Sequence, residues 1–177
     1  MTGKNDTVAW DTCIFLAWLK NETRAPGEME GIAQSIEAIE NNRLNLIASA
    51  TIFSEMFLGS LPQEVQDQFA TFRQRSNVEI AIPADEGINN LAGVLRQFYS
   101  NIKDGQPPLA TPDAIHLATA ITYEVKAFYT FDERGSYRSR GLLPLNGNVA
   151  GYKLRIQKPP FVPPSPPDPN QLKLFGV

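Results

Sequence analysis

Residues 8–20 read VAWDTCIFLAWLK: three apolar residues, one acid, and then an uncharged run up to Lys20. VAW is too short for a helix and has the composition of a buried strand, whereas TCIFLAWLK continues as a helix, so Asp11 marks a strand-to-helix junction. The same alternation recurs along the chain. RLNLIAS at 43–49 reads as a strand, and ATIFSEMFLG at 50–59 as a helix ended by Gly59. VEIAI at 78–82 reads as a strand ahead of a helix from Asp85 to about Asn101, whose buried stripe is Ile88, Leu91, Ala92, Leu95 and Phe98. Two further helices are predicted, the first of them amphipathic. EMEGIAQSIEAIENN repeats Met29, Ile32, Ala33, Ile36 and Ile39 at spacings of three and four, and Pro62 opens QEVQDQFATFRQR. Thr111-Pro112 supplies the N-cap and N1 residue types of a helix running to about Tyr123, and AFYTF at 127–131 and LLPLN at 142–146 complete the strands. Strands alternating with helices imply an α/β fold with a parallel sheet between helical layers, in which ligands gather beyond the carboxyl ends of the strands.

Four acids stand alone in this pattern. Asp11 is the only charge between Asp6 and Lys20, and Glu55 the only one between Arg43 and Glu64. Asp113 is the only acid between Asp104 and Glu124, in ATPDAIHLATAI, and Asp132 closes the strand-like AFYTFD. A carboxylate in a segment that reads as core needs a partner to offset its desolvation. With one Cys and one His in the chain, oxygen ligands and a hard cation, Mg²⁺ or Mn²⁺, match the residue types better than zinc. Each acid also has a plainer reading. Asp11 suits the N-cap of its helix, Asp113 the first turn of its own, Glu55 an exposed helix face, and Asp132 a turn with Glu133 and Gly135. His116, three residues after Asp113, shares its helix face and reads either as a base or as a buried histidine bonded within the fold. Thr12 and Thr130 adjoin motif acids and are placed to orient them.

The 177 residues suit one domain with a proper core. No stretch approaches ~18 uninterrupted apolar residues, so no membrane association is expected. The first residues have no apolar secretory core, and a single Cys13 fits a reducing compartment, so a cytoplasmic location is expected. Charge is unevenly spread. Residues 1–130 carry 9 Lys/Arg against 16 Asp/Glu, a balance of −7, while residues 131–177 carry 7 against 3, a balance of +4. Arg134, Arg138 and Arg140, with Lys153, Arg155 and Lys158, therefore read as a basic rim for nucleic acid or as ordinary basic surface. No Ser-His-Asp set and no phosphate-cradling glycine loop is present.

The order of a first Asp-Thr, then SATIFSE, then PDAIHLATA, then FYTFD resembles the PIN domain family of metal-dependent nucleases, whose VapC-type members are toxins of type II toxin–antitoxin modules. The resemblance runs from about residue 8 to 146, and PDAIHLATA is its most specific part. It implies a Rossmann-like α/β/α sandwich with a mostly parallel sheet. It also implies that Asp11, Glu55, Asp113 and Asp132 bind one or two Mg²⁺ or Mn²⁺ ions and carry the chemistry. Cys13 stands where the family often has Asn. The resemblance further implies an endoribonuclease acting on an RNA substrate, a cognate antitoxin and a homodimer. Residues 1–157 then form the nuclease domain.

Residues 158–177 change character. Half of the 14 prolines fall in PPFVPPSPPDP, which reads as a semi-rigid spacer ahead of the final QLKLFGV. Gln171, Leu172, Leu174 and Phe175 resemble a bacterial sliding-clamp docking peptide; equally, the apolar ones suit packing on the domain. Two alternatives to the toxin reading follow: a DNA-processing nuclease recruited to the clamp, and a non-catalytic module that keeps the fold.

Overall fold

Strand β1, Asp6–Trp10, lies at the centre of a five-stranded sheet and positions everything that follows. It is flanked by β2 (Leu44–Ser49), then β3 (Val78–Ile82) on one side, and by β4 (Ala127–Tyr129), then β5 (Ile156–Gln157) on the other. Every pairing is parallel, with Val8 opposite both Leu46 and Ala127. The computed structural model describes residues 5–102 and 104–164. Gln171, Leu172, Leu174 and Phe175 lie outside the described residues.

Parallel strands must be covered on both faces, which explains why β1, β2 and β4 read as nearly continuous apolar runs. Successive side chains take opposite faces. Val8 and Trp10 join a core with Phe15 of α1 (Thr12–Leu19), Ile32 and Ile39 of α2 (Glu28–Glu40), Ile52 of α3 (Ile52–Met56) and Phe69 of α4 (Gln63–Phe72). Ala9 joins a second core with Ile88 and Leu95 of α5 (Glu86–Asn101) and Leu117 of α6 (Thr111–Thr122). The result is an α/β/α sandwich. Trp10 is the largest anchor, with its ring 5.2 Å from Phe15 and 6.2 Å from Phe72. Truncating such a ring to alanine costs about 3–5 kcal/mol.

Several element predictions need correction. Helix α3 stops at Met56, three residues before Gly59, because Phe57 already turns left-handed (φ 48°) and a short 3-10 turn, Leu58–Ser60, follows. LLPLN is not a strand. The Leu142 and Leu143 amides both donate to the Asp132 carbonyl, at 3.0 and 2.9 Å, and Leu143–Leu145 curls into a 3-10 turn. The last strand is instead Ile156–Gln157, too short to announce itself by alternation. On α5, Tyr99 is buried and Phe98 exposed, reversing the expected end of the stripe. Ala110 is the N-cap of α6, which moves Thr111 and Pro112 one position into the helix.

After β5 the chain runs onto α2. Lys158 bonds to Glu28 at 2.7 Å and to Glu133. The Gln34 amide donates to the Val162 carbonyl at 2.7 Å and accepts from its N–H at 2.9 Å. Gly31 permits this approach, since a β-carbon there would lie 2.4 Å from the Pro159 carbonyl oxygen. Among the described residues, no helix is long and apolar enough to cross a membrane.

Candidate active site

The sheet order reverses between β1 and β4, and Asp11 and Asp132 both follow the carboxyl ends of those two strands. Such a switch point opens a crevice at the strand ends. The Asp11 amide extends the ladder by donating to the Tyr129 carbonyl at 2.9 Å, which holds Asp11 in place beside β4. Asp11 occupies the N-cap position of α1, yet its carboxylate makes no capping bond. Its Oδ2 accepts instead from the Thr130 hydroxyl at 2.6 Å and the Cys13 thiol at 3.1 Å. It is 6% exposed. Thr130 also accepts the Asp132 amide at 3.0 Å, so one hydroxyl joins the two strand ends. Cys13, in turn, accepts the Phe131 amide at 3.2 Å. Burial first, then the Asp11 charge, pushes its thiol well up, so it acts as a donor and not as a nucleophile.

Asp113 sits in the first turn of α6, and its Oδ2 accepts from the Ser139 hydroxyl at 2.6 Å. Burial, followed by repulsion from Asp11 and Asp132, raises its carboxyl to about 6, against the opposing pull of Ser139 and His116. Asp132 is raised too, by burial and then by Asp11. Its Oδ1 accepts from the Gly135 amide at 2.7 Å, so the turn expected there is present as well. Three aspartates thus share one electrostatic field. Among the described residues none of the three has a lysine or arginine ion pair.

Glu55 is engaged differently. Its Oε2 accepts from Thr12 Oγ1 at 2.5 Å and lies 2.7 Å from His116 Nε2, while His116 Nδ1 lies 2.8 Å from the Ser49 hydroxyl. His116 is fully enclosed. Burial pushes its pKa down, but the Glu55 bond and the surrounding Asp11, Glu55 and Asp113 charges outweigh it and the net shift is upward. Glu55 is lowered although burial raises it, because the His116 bond and charge and the Thr12 bond prevail. Both directions describe an imidazolium–carboxylate pair.

Of the basic rim, Arg134 and Arg138 are exposed. Arg140 needs correction: it is 8% exposed, grips Asp104 through two bonds of 2.7 and 2.9 Å, and lies over the Tyr99 ring at 4.9 Å. It is an internal tie and not part of a nucleic-acid rim. Two contact residues escaped the sequence reading. Ser49 opens the SATIFSE motif and was legible in principle; Ser139 lies in SYRSRG, where nothing distinguishes it from a surface serine.

The donor set fits a hard divalent cation in kind: three carboxylates in one field, with no lysine or arginine ion pair among the described residues. Among the described residues, however, no group of three His, Cys, Asp or Glu side chains is already drawn together tightly enough to hold an ion.

The family model described as PIN domain matches residues 8–140. No curated protein matches the chain. Among solved structures, the chain is similar to VapBC2 from Rickettsia felis bound to a promoter DNA fragment, at 14% identity and TM-score 0.58, over 85% of this chain and 98% of that one. It is similar as well to FitAB bound to the IR36 DNA fragment, at 15% identity and TM-score 0.54, over 89% and 99%. At these identities the likeness is one of fold.

Proposed function

The chain belongs to the PIN domain family, and from that premise we propose that it is a divalent-metal-dependent endoribonuclease, the toxin of a type II toxin–antitoxin module. The observation that carries the reading is the set of three aspartates, Asp11, Asp113 and Asp132, at the strand-end crevice: Asp113 and Asp132 are raised by burial and by the Asp11 charge, and among the described residues none of the three has a lysine or arginine ion pair. Such a field is relieved by a cation, and Asp11, Asp113 and Asp132 are the residues that would hold Mg²⁺ or Mn²⁺. When bound, the ion supplies an oriented, acidified water and offsets charge on the scissile phosphate. Thr130 and Cys13 hold the Asp11 carboxylate in one orientation, and Ser139 does so for Asp113. Glu55 contributes through the position that His116 and Thr12 impose on it. Arg134 and Arg138 meet the polyanion outside the crevice.

The toxin role is supported by the fold shared with the two assemblies named VapBC2 and FitAB. A cognate antitoxin, a homodimeric nuclease and a cytoplasmic location follow from it, with residues 1–157 as the nuclease domain and 158–177 as its tail. The test is cleavage of fluorescent single-stranded RNA and DNA with Mn²⁺, comparing wild type with Asp113→Asn. Metal-dependent, EDTA-sensitive RNA cleavage that Asp113→Asn abolishes is the expected result. Preference for DNA removes the ribonuclease assignment, and equal activity in both proteins removes the site.

A further inference from the structure

Between Asp132 and Gly141 the chain folds into a hairpin built more firmly than a surface loop requires. Gly135 and Arg140 form an antiparallel bridge, and the Ser136 amide donates to the Ser139 carbonyl at 2.7 Å. The Ser136 hydroxyl accepts from the Arg138 and Ser139 amides at 3.1 and 3.2 Å. Gly135 turns left-handed (φ +65°), and a β-carbon there would lie 2.0 Å from the Ser139 carbonyl oxygen, so the turn admits only glycine. Both feet are tied down, one by Asp132 to the Gly135 amide and the other by Arg140 to Asp104.

The tip of this rigid hairpin presents Tyr137, 81% exposed. The Arg138 guanidinium lies 4.8 Å from the ring centroid and covers one face, leaving the ring held and most of its surface open. Packing does not account for an aromatic displayed in this way. Its location does: Ser139, two residues on, donates to Asp113 in the crevice. Arg134 and Arg138 add positive charge, and neither forms an ion pair among the described residues.

We infer that this hairpin is a nucleobase platform, with Tyr137 stacking on an unpaired base while Arg138 and Arg134 meet the adjoining phosphates, so that the site takes single-stranded polynucleotide and excludes duplex. The inference rests on the nuclease reading and deepens it. In a duplex both faces of every base are covered by its neighbours, whereas an unpaired base offers a face to an aromatic ring regardless of sequence. The hairpin bonds hold the Tyr137 backbone in place, so binding has only the side chain left to order.

The test is fluorescence anisotropy of the full chain, in EDTA, with a labelled oligoadenylate and with the same strand annealed to its complement. Wild type is expected to favour the single strand at least about tenfold, and Tyr137→Ala to weaken that binding about 5- to 100-fold while leaving the salt dependence unchanged. Tyr137→Phe keeps the ring and should stay within about twofold of wild type. Arg138→Ala should instead lower the slope of log affinity against log salt by about 0.7. Tyr137 is exposed, so folding is not at stake in these variants. Single-strand affinity unchanged in Tyr137→Ala, or equal affinity for single strand and duplex, overturns the platform. A Tyr137→Ala protein with normal RNA affinity but altered native mass makes the ring a protein interface and also overturns it. Wild type that cleaves RNA with Mn²⁺ alongside any of these results leaves the nuclease reading standing. Wild type that neither binds nor cleaves fells both.

Discussion

Thr130 Oγ1 donates to Asp11 Oδ2 at 2.6 Å and accepts the Asp132 amide at 3.0 Å, so one hydroxyl sets two of the crevice acids relative to each other. Thr130→Val keeps the shape and removes both bonds. It leaves a buried carboxylate short of a donor and a backbone amide unpaired, a cost of about 1–3 kcal/mol. Urea denaturation should show that loss, together with weaker Mn²⁺ binding by calorimetry, and Thr130→Ser should restore most of each. If valine is as good as serine in both assays, the hydroxyl does not organise the crevice.

Asp113 is expected to make the metal-free protein less stable at neutral pH. Its carboxyl rises from 3.8 to about 6 on folding, so between those values the folded chain keeps a proton that the unfolded chain has released. Stability therefore falls as pH climbs through that window, by at most about 3 kcal/mol, and stays lower above it. In EDTA, Asp113→Asn should raise the urea midpoint near pH 7.5 and match wild type near pH 4. Millimolar Mn²⁺ should narrow the difference by stabilising wild type alone. A gap that does not change with pH contradicts the shared field.

The His116–Glu55 pair has its own pH window. Glu55 is lowered, so its contribution is present above the usual 4.5 and disappears as pH falls through the lowered value. His116 is raised, so its contribution is full below the usual 6.5 and disappears as pH rises through the raised value. His116→Leu strands Glu55 and Ser49 and should cost about 3–5 kcal/mol in the interval between those two pH values, with a smaller penalty in alkaline solution. Urea midpoints across pH give the answer; a constant penalty means the pair is neutral.

Phe57 combines a left-handed backbone (φ 48°) with 72% exposure, a poor conformation for a bulky residue that gains little burial in return. Phe57→Gly should relieve about 1 kcal/mol of backbone strain. The melting temperature should then rise by about 2–4 °C. A lower melting temperature would falsify the claim of strain.

Legibility in the sequence followed burial. The sheet and its helices were readable because strands covered on both faces must be apolar, as VAW and AFY are, and because helices such as α2 carry a 3.6-residue stripe. The isolated acids were readable for the converse reason, since a charge in such a run stands out. LLPLN was misread because a short apolar run looks the same whether it extends or curls, and only the Asp132 carbonyl, taking two amides, decides that it curls. The site's supporting contacts were less visible: Ser139 reaches Asp113 across 26 positions of sequence, and no local pattern encodes such a pairing.

By itself the sequence determined the layered α/β plan and singled out Asp11, Glu55, Asp113 and Asp132, because local periodicity and the cost of burying charge are both written residue by residue. Only the tertiary structure decided how those acids divide. It set Asp11, Asp113 and Asp132 into one field, tied Glu55 to His116, and withdrew Arg140 from the surface to hold Asp104. These outcomes depend on distances between residues tens of positions apart, where electrostatic energy is set by separation and burial and not by order along the chain.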